Sequence, residues 1–141
     1  MKLRNIFLLA LSFSFIGCGF GNQDISTIVK IENGSIKGVQ EGNLKKYLGI
    51  PYAEPPVGNL RWASARPALN WEGIKSAESN SKICFQPKQI ADFYDRVPDI
   101  NNMSEDCLTL NVWTRAKITD EKLPVMVWFH GGALVWGSGS E

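Results

Sequence analysis

The chain has 141 residues, 44% hydrophobic and 21% charged, with a formal net charge of +1. Those are proportions of a globular domain, not of a disordered chain. The charge is spread without a basic block, so no nucleic-acid partner is expected.

The amino terminus reads as an export signal over residues 1–17. Lys2 and Arg4 form a positive start, and Ile6 to Ile16 form an apolar run too short to span a bilayer comfortably. The run ends in Phe15-Ile16-Gly17-Cys18. A small residue directly before Cys resembles a bacterial lipobox, which would make Cys18 a lipidated first residue and the only link to a membrane. Phe15 stands where Leu is usual, and an ordinary cleaved signal is the other reading. Either way the chain is expected to be exported, to the bacterial cell envelope, the periplasm or the medium. Losing Lys2 and Arg4 from the 15 basic residues would leave 13 against 14 acidic ones, a charge of −1. Residues 18–25 read as a short tether, and residues 26–141 as the domain.

Thr27 to Glu32 is β-branched and partly alternating, and Asn33-Gly34 is a hairpin dipeptide. Ser35 to Gln40 returns as a second strand, Glu41-Gly42-Asn43 turns again, and Leu44 to Ile50 makes a third. A small antiparallel meander is expected. Residues 51 to 67 carry Pro51, Pro55, Pro56 and Pro67, which excludes a helix or a central strand. This stretch reads as an ordered loop anchored by Tyr52, Leu60 and Trp62, and Asn70 to Ile74 continues it. Trp71 is read as a packed aromatic, with a ligand platform as the rival.

Cys84 and Cys107 remain after Cys18. In an oxidising compartment an even pair reads as a disulfide, with two separate thiols as the other reading. Ile90 to Tyr94 has the pattern of a short helical turn. Leu108 to Trp113 is a strand, Ala116 to Leu123 a polar connection, and Pro124 to Phe129 a second strong strand. The last is apolar on both faces, as an interior strand under helices would be. No long amphipathic helix is present to cover it, so the 141 residues read as the front portion of a larger domain.

That strand runs into His130-Gly131-Gly132-Ala133-Leu134. Glycines let backbone approach a substrate closely, and two backbone N–H groups aimed at one point can hold a developing oxyanion. Three blocks then resemble one family in order: Leu48 to Trp62, Ser104 to Trp113, and Pro124 to Gly139. They are similar to the signature blocks of type-B carboxylesterases, the family of cholinesterases and neuroligins. The resemblance implies an α/β-hydrolase fold, of which this chain would hold the N-terminal portion: an antiparallel β meander leading into the central sheet. It implies a Cys84–Cys107 disulfide and an Arg61–Glu105 salt bridge. On that pairing, Glu105-Asp106 is not a general acid/base pair.

The same resemblance puts the oxyanion donors on the backbone of Gly132 and Ala133, with His130 and Gly131 supporting the loop. Ala133 stands where many relatives have a third glycine. His130 precedes any nucleophile, whereas the fold's catalytic His comes last, so a base role is not expected. No Gly-x-Ser-x-Gly occurs in the chain, and residues 1–141 alone are expected to be inactive. The implied activity of the parent is hydrolysis of a small-molecule carboxylic ester through a serine acyl-enzyme, with no cofactor and no metal. The loop from Phe85 to Asp106 has no Trp, and Val97 falls near the cholinesterase Trp position. Phe93 and Tyr94 are the nearest aromatic residues, and the pattern points to a general carboxylesterase. A non-catalytic adhesion or interaction relative is the alternative, and a small secreted binding module, complete at this length, is a third reading.

Overall fold

The computed structural model describes residues 27–89, 100–118 and 121–140. The export signal, Cys18, the tether and the expected helical turn at Ile90 to Tyr94 lie outside the described residues, as does Val97.

Among the described residues, two three-stranded sheets form the body. In the first, β1 (Ile28–Ile31) and β2 (Gly34–Lys37) make an antiparallel hairpin. The second sheet contains β3 (Val39–Glu41), β4 (Leu44–Pro51) and β6 (Thr109–Thr114), all antiparallel, in the order β3-β4-β6. β5 (Ile74–Ser76) adds to the first sheet, parallel to β2.

The expected second strand is split at Gly38. Its N–H still continues the β1–β2 register, bonding Thr27 O at 3.0 Å, while the residues after it pair with β4 in the second sheet. A Cβ there would overlap the Lys46 carbonyl and the Tyr47 ring. The break turns one meander into two sheets that share a core. Ile36 from β2, Tyr47 and Ile50 from β4, and Ala77 after β5 form it, with Val29, Ile31 and Trp71 packed alongside. Burial raises the Tyr47 phenol above its ordinary pKa, as removing a charged form from water must.

The first hairpin also differs in detail. Ile31 pairs with Gly34, so the loop residues are Glu32 and Asn33. Gly34 is needed for another reason: Trp71 lies where its Cβ would be. Trp71 Nε1 donates to Ser35 O at 2.8 Å, and Trp71 N donates to Asn33 O at 2.9 Å. Trp71 is thus a packed aromatic that closes the edge of the core. Lys75 Nζ sits 5.0 Å from its ring centroid.

The β4–β6 ladder carries a bulge. Tyr47 faces Val112 and Ile50 faces Leu110, so Leu48 and Gly49 oppose Asn111 alone. Gly49 takes φ 70°, and its N–H bonds Asn111 Oδ1 at 2.7 Å. The side chain thereby replaces the ladder bond that the bulge removes.

The proline loop is ordered, with a 3-10 turn at Gly58–Leu60 and a bridge between Ala53 and Pro67. Its anchors differ from expectation. Ala53 is buried and Leu60 half-buried, but Trp62 is 97% exposed at φ 64°. The larger change concerns residues 124–129. No ladder includes them, and Met126 is 93% and Phe129 87% exposed. A strand is defined by pairing, and among the described residues this segment pairs with the edge of neither sheet. The apolar pattern is present without the cover it calls for.

Candidate active site

The site grows from β6 and the loop before it. Cys84 and Cys107 are joined, with Cα atoms 5.1 Å apart. The base of this loop is tied across its mouth. Ile83 N donates to Asn102 O, Ser104 N donates to Ile83 O, and the Ser81 and Thr109 hydroxyls are hydrogen-bonded. The bridge therefore fixes residues 81–86 against the start of β6.

Two residues before Cys107, Glu105 meets Arg61 in a two-pronged pair. Nε–Oε1 is 2.5 Å and Nη2–Oε2 is 2.6 Å. This geometry uses the guanidinium fork on both carboxylate oxygens. Hydrogen bonding to Arg61 holds the Glu105 carboxyl below its ordinary range, and the same contact raises Arg61. The pair fastens the proline loop to the segment before β6. Asp106 is exposed, and its backbone N–H bonds Ser104 Oγ at 3.1 Å. Glu105 is committed to Arg61.

The glycine loop follows the uncovered apolar segment. Gly132, Ala133 and Leu134 all have positive φ, at 109°, 52° and 63°. Val135 N and Trp136 N both donate to Gly132 O, at 2.9 and 3.2 Å. Ala133 and Leu134 are the central pair of this tight turn, in the left-handed pattern of a type I′ turn. For residues with a Cβ that conformation costs about 1–2 kcal/mol each, and with Ala133 and Leu134 both exposed it is the two bonds to Gly132 O that hold it. Gly132 could not be larger: its Cβ would strike the Trp136 carbonyl. Among the described residues, the Gly132 and Ala133 N–H groups have no hydrogen-bond partner.

His130 is exposed, and its Nδ1 lies 2.8 Å from Gly131 O. Gly137 closes the loop at φ 111°, packed so tightly on the His130 ring and Gly131 carbonyl that a Cβ would overlap both.

Two amides that the sequence did not single out hold the far arm. Gly137 N donates to Gln86 Oε1 at 2.9 Å, and Gln86 Nε2 donates to Gly137 O at 3.3 Å. Asn111 Nδ2 donates to Gly139 O at 3.0 Å. Gln86 sits in an aperiodic loop and carries no sequence signal beyond its nearness to Cys84. Asn111 did offer one, because Asn is depleted in strands and it interrupts an apolar run. The structure thus brings together the disulfide loop, β6 and the glycine loop.

An antiparallel β entry that leads to a glycine loop of this kind is the N-terminal portion of an α/β-hydrolase. The model of the carboxylesterase family matches residues 25–141, and the chain belongs to that family. It is 42% identical over 115 residues to the para-nitrobenzyl esterase of Bacillus subtilis, covering 81% of this chain and 23% of that protein. Carboxylesterase 1E of Mus musculus is 35% identical over 148 residues, covering 94% of this chain and 26% of the relative. A solved PNB esterase superposes with TM-score 0.71 at 40% identity, covering 81% of this chain and 23% of that one. A Geobacillus stearothermophilus carboxylesterase gives TM-score 0.68 at 35% identity, covering 81% and 21%. The chain spans about a quarter of the length of the relatives it matches.

Proposed function

We propose that these residues are the oxyanion-loop portion of a carboxylic ester hydrolase that works through a serine acyl-enzyme. The observation that carries the reading is the Gly132–Val135 turn. It uses the Gly132 carbonyl internally and leaves the Gly132 and Ala133 N–H groups without a protein acceptor among the described residues. Fixed donors of this kind stabilise charge that develops on a carbonyl oxygen, and losing one costs about 10²–10³ in kcat. His130 and Gly131 support the loop through their contact with Gly137. Relatives named as esterases support the same reaction class.

The nucleophile is not in residues 1–141, which contain no Gly-x-Ser-x-Gly. We assign it to the remainder of a full-length protein of the relatives' size, and the 141 residues alone are inactive. The substrate is a small carboxylic ester without a required cation, because the loop from Phe85 to Asp106 lacks a Trp. A disulfide fits an oxidising compartment, in keeping with export and with lipid attachment at Cys18.

The test is turnover of a short-chain p-nitrophenyl ester by the full-length protein, with and without a serine-directed phosphonate. Turnover abolished by the phosphonate is expected, and replacing the Ala133 peptide N–H with an ester oxygen (lactic acid at position 133), which removes the donor while allowing the same backbone turn, should slow it about 10²–10³-fold. A folded full-length protein without turnover would overturn the reading.

A further inference from the structure

We infer that Gln86 is a positioning residue that sets the oxyanion loop through the backbone of Gly137, and that the disulfide holds Gln86 in place to do so. The inference rests on the ester-hydrolase reading above.

Gln86 lies two residues after Cys84, 51 positions from Gly137 in sequence. Its carboxamide forms a closed ring of two hydrogen bonds with one peptide position. Oε1 accepts from Gly137 N at 2.9 Å, and Nε2 donates to Gly137 O at 3.3 Å. Nε2 also donates to Cys84 O at 3.2 Å. The amide is therefore held at its own base and at its target, and only a side chain with both donor and acceptor satisfies all three contacts.

Gly137 is where such a clamp has leverage. It closes the loop that begins at His130, and its backbone lies directly on the His130 ring and the Gly131 carbonyl. The next contact inward is Trp136 O against Gly132. Gly137 therefore lies beside the His130 ring and the Gly131 carbonyl, and Trp136 beside Gly132, so a shift of Gly137 bears on all three. Gly132 opens the turn in which Ala133 and Leu134 are held at unfavourable positive φ. A strained turn persists only where its surroundings over-determine it. Gln86 supplies such a constraint from outside the loop, and Asn111 at Gly139 supplies another. Neither amide is within the loop's own sequence.

The order of dependence follows. The Cys84–Cys107 bridge fixes the backbone before Gln86 to β6, Gln86 fixes Gly137, and Gly137 fixes the donor turn. A misplacement of about 1 Å at a reacting centre can cost about 10²-fold in rate. Losing the clamp should therefore lower kcat while substrate binding stays nearly the same.

The experiment compares full-length wild type, Gln86→Met and Gln86→Glu. Kinetics on p-nitrophenyl acetate are read beside hydrogen–deuterium exchange of the peptide covering residues 130–140. Gln86→Met keeps the length but loses every hydrogen bond. It is expected to lower kcat about 10- to 100-fold with KM within about twofold, and to speed exchange at 130–140 at least about 10-fold. Gln86→Glu keeps the acceptor for Gly137 N–H and should fall between the two. Should Gln86→Met not fold, the Gln86→Glu result decides alone. If wild type itself shows no ester turnover, the proposed function fails, and exchange still reads whether Gln86 holds the loop. Exchange at 130–140 unchanged, or kcat within twofold of wild type in both variants, overturns the inference.

Discussion

Replacing both Cys84 and Cys107 with Ala should cost the full-length protein about 3 kcal/mol. The bridge closes a loop with a sequence separation of 23. In the chain-entropy treatment, a loop of that size removes about 11.5 cal/mol/K from the unfolded ensemble, or about 3.4 kcal/mol at 25 °C. Cys84 is exposed and Cys107 half-buried, so truncation to Ala adds little lost packing. A loss of about 3.4 kcal/mol is about a 300-fold fall in the folded-to-unfolded ratio. The assay is a urea melt of wild type and the double variant, with wild type also melted in reductant. The variant and the reduced wild type should coincide, both with a lower midpoint. A loss below about 1 kcal/mol, or ready alkylation of both thiols in the folded, unreduced protein, would refute the reasoning.

Three further outcomes are expected. Gly38→Ala should destabilise by about 1–3 kcal/mol in a thermal melt, since the new methyl overlaps the Lys46 carbonyl and Tyr47 ring and overpacking costs that much; an unchanged melt counts against the split at Gly38. The stability gap between wild type and Glu105→Gln should be full above the ordinary Glu pKa and close as pH falls through the lowered pKa that Arg61 imposes; melts across acid pH with a constant gap would contradict the pair. Ala133→Val places a β-branched residue at φ 52°, where such residues are outliers, and should lower kcat at least about 10-fold, whereas Ala133→Gly should stay within about twofold; equal rates for the two would show that the turn is not held as described.

The strands from Ile28 to Pro51 and the strand at Thr109–Thr114 were legible within a residue or two, because each alternates and is bounded by turn residues. The parallel strand Ile74–Ser76 was not. It is three residues long, and it exists only because β2 presents an edge to it. The split at Gly38 was hidden for a similar reason: the obstacle is Tyr47, which is distant along the chain. Residues 124–129 mark the opposite failure. Their apolar pattern is that of a buried strand, yet in a chain a quarter of its relatives' length they pair with neither sheet and stay exposed among the described residues. At the site, the glycine run and the cysteine pair were readable from local composition. The Gln86–Gly137 clamp spans 51 positions and uses a common polar side chain, so no local pattern could announce it.

Function turns on whether the Gly132–Ala133 turn serves an acyl-enzyme. The most direct measurement is a pre-steady-state trace of p-nitrophenol release by the full-length protein. A burst of about one equivalent per chain is expected, absent after phosphonate treatment and much slower when the Ala133 N–H is replaced by an ester oxygen. A folded protein that releases no p-nitrophenol, or releases it equally well with that N–H removed, would contradict an acyl-enzyme served by this turn.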